Sequence, residues 1–371
     1  MPIIKESFGA TSEGIAVERY HLVNQDGHHV CILTYGGIVQ SLEAVDRHGN
    51  IADIVLGFDT LQPYLNEHPY FGAIIGRYAN RIAHGRFKLQ GEEFELATNN
   101  GPHHLHGGVC GFDKQVWRAS VIEVVKATCL VLRHISVDGD EGYPGTLTVE
   151  VRYTWSDSNE LRIDYIASTD APTILNLTNH SYFNLAGDDF PDADFTGIVQ
   201  KTDILNHYIQ LNAGRYLPVD VTLIPIGELA EVTGTCMDFC QQANIGKNMD
   251  LTHPQICNAN GGYDHAWLLD ISNKILDGLS LAATVNEPIS GRSMKVYTSQ
   301  PAIQFYTGNF LDGSLLGKNN RLYSKYAGFC LETQHYPDAP NHPEFPSTIL
   351  HPSAVYQQST VYKFETSKLL I

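Results

Sequence analysis

Residues 147–167 read LTVEVRYTWSDSNELRIDYIA, two strands and the turn between them. Leu147, Val149, Val151 and Tyr153 alternate with Thr148, Glu150 and Arg152; Ser156–Glu160 (SDSNE) is a polar turn, and Leu161 to Ala167 alternates again. Successive side chains on a strand point to opposite faces, so a period of two predicts an antiparallel pair with one apolar face. The rest of the chain repeats this signal. Val30 to Val39 is β-rich and interrupted by Gly36 and Gly37, which predicts a bulge or a close backbone approach. Ile54 to Leu56 reads as a short strand, Thr60 to Leu65 as a helical turn and Gly85 to Leu96 as a hairpin with Phe87, Leu89, Phe94 and Leu96 as its apolar members. Val121 to Val125 and Leu130 to Ile135 continue the pattern, and helical periodicity is confined to Asp238–Asn248. Many short strands separated by Gly, Asn and Asp turns predict an all-β antiparallel sandwich or barrel with few short helices. No repeat or shift in composition divides the chain, so one domain over residues 1–371 is expected.

With 43% hydrophobic and 18% charged residues, this is the composition of an ordinary globular protein with a substantial core. A formal net charge of −17 repels nucleic acid and anionic lipid, and disfavours heavily phosphorylated ligands; a neutral small molecule fits best. The seven cysteines, an odd number, show no CxxC spacing, which points to thiols used as small core residues in a reducing compartment. No secretory leader and no long apolar run is apparent, so a cytoplasmic location is expected and the glycosylation patterns at Asn176 and Asn179 carry no weight.

Seven stretches carry polar residues in unusual settings. Tyr326 to Pro346 (YAGFCLETQHYPDAPNHPEFP) opens as an alternating strand: Phe329, Leu331 and Thr333 face one way, Cys330, Glu332 and Gln334 the other. One carboxylate ending an apolar run suits the wall of a polar pocket, or else a solvated edge strand. In RYANRIAHGR, residues 77–86, Arg81 sits among small and apolar residues, where its planar donors suit a buried carboxylate or vicinal hydroxyls. NNGPHHLHGG, residues 99–108, holds His103, His104 and His106; the spacing of the last two admits a metal, but no further ligand with matching spacing follows. Loop histidines satisfied by the backbone, or a histidine bonding a substrate oxygen, are the other readings. DGDEGYPG, residues 138–145, lacks the ligand spacing of a calcium loop and reads as a tight turn. In LNLTNHSYFNL, residues 175–185, Leu175 and Leu177 oppose Asn176, Thr178 and His180, a polar ladder of the kind that sugar hydroxyls bind, unless it is satisfied in the core. Asp264 in GGYDHAWLL and Gln304 in AIQFYTGNF add a carboxylate and an amide beside aromatic rings, on which pyranose faces pack.

GRYANRI, LHGG followed by GFDKQVW, DGDEGYPG, NLTNHSYFNL, GYDHAW, QFYTGNF and GFCLETQHYPDAPNHPEFP together resemble the aldose 1-epimerase (galactose mutarotase) family, in family order from about Leu33 to Ile349. The resemblance implies a large antiparallel β-sandwich that interconverts the α and β anomers of free aldoses without metal or organic cofactor. It makes Glu332 the general base, His180 the general acid and His106 an auxiliary catalytic or binding histidine. Asn80, Arg81, His106, Tyr182, Asp264 and Gln304 become sugar ligands. A small-molecule aldose is then the partner, for a monomer or homodimer. A hexose-6-phosphate 1-epimerase, a glycoside hydrolase built on Glu332 and Asp264, and a non-catalytic carbohydrate-binding protein are the competing readings.

The chemistry follows from the groups themselves. Anomers exchange when the C1 hydroxyl loses a proton as the ring oxygen gains one, opening the ring to an aldehyde that rotates and recloses. Ordinary values of about 4.3 for Glu and 6.5 for His give the base its charge at neutral pH. The imidazole needs help to stay protonated, which a neighbouring carboxylate would supply, and Asp264 is a candidate.

Overall fold

The computed structural model describes residues 3–187, 203–272 and 274–367. Three sheets dominate. The largest has ten strands, in the order Arg118–Val124, Ala127–Ser136, Leu147–Ser156, Glu160–Thr169, Tyr356–Thr366, Arg292–Thr298, Leu279–Asn286, Tyr208–Leu211 and Ala243–Asn244, with Lys274–Leu276 pairing on Leu279–Asn286. A five-stranded sheet runs from Ile3–Ala10 to Ile51–Asp53 in chain order. A six-stranded sheet has the order Tyr182–Phe183, Phe329–Gln334, Ala302–Tyr306, Asp264–Leu268, Arg215–Tyr216 and Ala230–Glu231.

The alternation at 147–167 decides how these sheets stack. Leu147, Val149, Val151, Tyr153 and Trp155 are fully buried, and pair through Val151↔Tyr165 and Tyr153↔Ile163 with a strand of the same habit. They share one core with Leu22, Val30 and Ile32 of the five-stranded sheet and Ile303, Phe305, Phe329 and Leu331 of the six-stranded one. The fold is a β-sandwich in which one broad sheet covers two narrower ones. Burying Phe329 and Leu331 stabilises by about 1.5–3 kcal/mol each and aims the opposite face of their strand outward. Two polar links cross the same interface: the Tyr362 hydroxyl donates to the Leu331 carbonyl at 3.0 Å, and Thr333 and Thr360 share a 2.5 Å hydrogen bond.

Several expectations need correction. Gly36 and Gly37, at φ 63° and 57°, form a turn between His29–Leu33 and Val39–Val45 rather than a bulge within one strand, but the close backbone approach is there: a Cβ on Gly36 would meet the Asp113 carbonyl oxygen at 2.4 Å. Ile54 to Leu56 is no strand, since only Val55 bridges, to Phe183, while the strand proper is Ile51–Asp53. Of the helix expected over Asp238–Asn248 only Ile245–Asn248 forms, capped by the Asn244 side chain, because Ala243 and Asn244 pair with Tyr208 and Ile209 instead. The helix at Leu61–Leu65 and the hairpin Arg86–Leu89/Glu92–Glu95 form where expected. The described residues hold three α-helices of four or five residues and five 3-10 turns, and no helix is long and apolar enough to cross a membrane.

Candidate active site

The outer face of the six-stranded sheet is the floor of a cavity of about 750 Å³. Its strands lie in register, so side chains form rows across the floor. Tyr182, Cys330, Tyr306 and Asp264 make one row, and Glu332, Gln304 and Ala266 the next. Glu332 thus reaches the cavity for the reason its neighbours do not: Phe329 and Leu331 belong to the core face.

His180 stands beside this floor on a short segment bonded to the Gly72–Ala73 backbone. Gly72 N–H donates to its carbonyl at 3.0 Å, and its own N–H donates to the Ala73 carbonyl at 2.9 Å. Its Nε2 lies 3.7 Å from Glu332 Oε1, too long for a hydrogen bond but close enough for both to address one ligand. Its Nδ1 faces Cys330 Sγ at 3.5 Å.

A second wall comes from the paired segments Arg81–Ile82 and His104–Leu105. Asn80 and His106 flank them in the left-handed region, at φ 65° and 53°, and are tied together: His106 N–H donates to the Asn80 carbonyl, and Asn80 N–H donates to His106 Nδ1, both at 3.2 Å. That bond makes Nδ1 an acceptor and leaves the proton of the neutral ring on Nε2. Gly107 allows the chain to turn away at once, since a Cβ there would overlap the Gly76 carbonyl oxygen at 1.8 Å. Arg81 bonds Asn100 Oδ1 through Nε at 3.2 Å and points Nη1 at Asp264, 3.9 Å from Oδ2.

Burial dominates the electrostatics. It pushes Glu332 well above the ordinary carboxylate range, with Asp264 adding to the rise and Arg81 opposing it. It pushes His180 down to about 4 and His106 well below its usual value, the latter helped by the charges of His180 and Arg81. At 3.7 Å the attraction between a carboxylate and an imidazolium does not repay the removal of two ions from water, so the empty pair is neutral, with its proton on Glu332. The expected help from Asp264 to His180 is absent. Asp264 acts on Glu332 instead, and its own carboxyl is raised by burial.

The cavity brings Asn80, Arg81, His106, His180, Tyr182, Asp264 and Glu332 together. Gln304 is not among its lining residues; it is buried below, and its Nε2 donates to Asp264 Oδ1 at 2.7 Å. The polar ladder expected at 175–185 breaks up. Asn176 donates to the Ala79 carbonyl and accepts from His335 N–H, and Thr178 donates to the Thr333 carbonyl, so both are spent on backbone. His104 is likewise internal, donating from Nδ1 to the Ala97 carbonyl and accepting at Nε2 from the Tyr143 hydroxyl. Arg77 gives its guanidinium to the carbonyls of Ser136, Val137, Pro144 and Gly145. Tyr70 and Tyr306 line the cavity, and sequence reasoning singled out neither as a site residue; Tyr306 was legible from its two-residue offset from Gln304.

His106, His180 and Glu332 offer ligand atoms within 4.8 Å of one another, a spacing that would suit a metal ion. The tautomer fixed by Asn80 works against one, because it gives His106 a donor at Nε2 that suits an oxygen rather than a cation. What the arrangement offers is a dry carboxyl–imidazole pair with a ring of hydrogen-bonding groups around it. That equipment serves proton transfer on a polyhydroxylated ligand.

Comparison with known proteins converges on one family. The family model for aldose 1-epimerase matches residues 18–363. Galactose mutarotase from Sus scrofa is 45% identical over 340 residues, covering 91% of this chain and 92% of that protein. Aldose 1-epimerase from Escherichia coli K12 is 35% identical over 340 residues, covering 92% of each. Among solved structures, galactose 1-epimerase from Lactobacillus acidophilus superposes with a TM-score of 0.83 at 26% identity, over 99% of both chains.

Proposed function

The chain belongs to the aldose 1-epimerase family, and from that premise we propose that Glu332 and His180 carry the proton transfers of its reaction. The protein is an isomerase that interconverts the α and β anomers of free aldoses such as galactose and glucose. The observation that supports the assignment is the convergence of the two side chains, 3.7 Å apart and nearly inaccessible, on one cavity.

In the reaction, a carboxylate at Glu332 takes the proton of the C1 hydroxyl as the electrons of the C1–ring-oxygen bond move to the ring oxygen. An imidazolium at His180 supplies that oxygen with a proton. The products are an aldehyde, a neutral imidazole and a carboxylic acid. Rotation about C1–C2 presents the other carbonyl face, and both protons return as the ring closes. The carboxylic acid and imidazole of the empty site hold the same single proton as the carboxylate and imidazolium, placed on the other partner. Sugar hydroxyls that bond the charged forms replace lost hydration and shift that proton to His180. His106 Nε2–H, Asn80 and Tyr182 complete the contacts to the ring, while Gln304 holds Asp264 and Asp264 faces Arg81.

This predicts an unusual pH profile. A second proton joins the pair only when His180 protonates, near 4, and the pair's one proton leaves only when Glu332 ionises, well above 4.5. The kcat/KM for anomer exchange, measured by polarimetry against the spontaneous rate, is expected to fall on the acid side as the pH drops through about 4 and on the alkaline side only where Glu332 ionises, above the ordinary carboxylate range. An alkaline limb centred near 6.5 would show instead an ordinary histidine acting alone.

Arg81→Ala is expected to raise KM for galactose by about 10- to 100-fold, the worth of a charged hydrogen bond, with a smaller change in kcat. Unchanged saturation would reduce Arg81 to an ion-pair partner of Asp264. The cavity lining holds five carboxyl groups (Glu67, Asp113, Asp264, Asp312 and Glu332, the last protonated in the empty site) against Arg81 and Lys114, a poor welcome for a phosphate. Asp264, engaged by Gln304 and Arg81, is no free second carboxylate for glycoside cleavage. A hexose 6-phosphate and an aryl glycoside, run in the same assays, are expected to be poor or inert. One core joining all three sheets supports a single catalytic domain over the chain, and seven unpaired thiols support a reducing, cytoplasmic location.

A further inference from the structure

Tyr70 has no part in the roles above, yet it is built into the reactive corner. Its ring lies 4.7 Å from that of His106, edge-on at 62°, and 5.8 Å from that of His180. It lines the cavity. Its backbone sits in the left-handed region at φ 60°, which bulky residues rarely adopt and which tends to mark functional positions. The turn that holds it is joined to His180: Ala73 N–H donates to the Tyr70 carbonyl at 3.1 Å, and the next bonds in the chain are those between Gly72, Ala73 and the His180 backbone. Ring and imidazole therefore keep a fixed relation.

We propose that Tyr70 is a positioning residue whose ring roofs His106 and His180 and keeps bulk water from the edge where the proton is exchanged. Glu332, Cys330, Tyr182, Tyr306 and, at longer range, His68 face His180; His104, Arg81 and Lys114 act on His106. Burial outranks each of these as the cause of the low imidazole values. Opening the roof therefore raises them. Lys114, whose Nζ stands 5.9 Å from the centre of the Tyr70 ring, would lower them if it moved into the gap, so an upward movement is not its work.

The test compares Tyr70→Gly with Tyr70→Phe. Glycine adopts φ 60° freely, so the first variant removes the ring without straining the turn. The His180 imidazole is followed by NMR titration, its resonance assigned by its loss in His180→Asn, alongside the pH profile of anomer exchange. In Tyr70→Gly the titration is expected to rise from near 4 by about one pH unit or more, with the acid limb of kcat/KM moving with it and kcat falling about tenfold. Tyr70→Phe is expected to leave all three in place. An unmoved titration in the glycine variant, or an equal movement in the phenylalanine one, overturns the proposal. The kinetic arm rests on the proton-transfer role of His180, whereas the titration reads the roof even if that role is refuted elsewhere.

Discussion

Glu332→Gln is expected to slow anomer exchange by about 10²–10⁴-fold, the usual worth of a positioned acid–base group, in a chain that stays folded. Glutamine matches the neutral carboxyl in shape, and burial already holds Glu332 in its protonated form well above the ordinary range. A carboxyl with a raised folded-state value contributes its full stability below about pH 4.5 and loses it progressively as the pH climbs toward that raised value. Glutamine has nothing to lose over that window, so the variant is expected to melt higher than the parent at neutral pH. Polarimetry of freshly dissolved α-D-galactose together with a thermal melt reads both. Parental acceleration by the variant would remove Glu332 from the chemistry. A lower melting temperature would show that the carboxyl is ionised in the native state.

His180→Asn is expected to lower kcat by a comparable factor with KM little changed, because the ring oxygen calls for a proton only as its bond to C1 breaks. Asparagine keeps a polar group near Cys330 Sγ, which the Nδ1 of His180 faces at 3.5 Å. The pairing makes a sharper demand. If one proton passes between the two side chains, removing either breaks the same cycle, and Glu332→Gln combined with His180→Asn is expected to be about as slow as the worse single variant. Losses that multiply would mean that the two residues act independently.

What could be read from the chain beforehand depended on whether neighbours in sequence settled the matter. The alternation of Phe329 to Gln334 needed no tertiary knowledge, and it put Glu332 on the outer face where it stands. The hairpin after Gly85 was local in the same sense. Asn176 and Thr178 share the spacing of His180, but whether such a side chain meets a ligand or a carbonyl depends on segments 97 and 155 residues away. His104 and His106 posed the same problem, resolved by Tyr143 on one side and Asn80 on the other. Protonation was the least legible of all. Composition shows a carboxylate and an imidazole, whereas the exclusion of water that favours the neutral form of each belongs to the assembled cavity. Tyr70 was missed because its signature is a backbone angle that no residue type announces.

The pairing of Gln304 with Glu332 across adjacent strands reaches beyond the reaction. A slip of one residue between those strands would send Glu332 inward among Ile303, Phe305 and the aromatic rings behind them, and turn Leu331 onto the polar face that lines the cavity. The penalty for that error is an acid isolated in oil plus a leucine stranded among polar groups, in two strands that are interior to their sheet. The register that orders this sheet is therefore also what sets the proposed base on the cavity face, so correct pairing of the two strands and placement of Glu332 are one event.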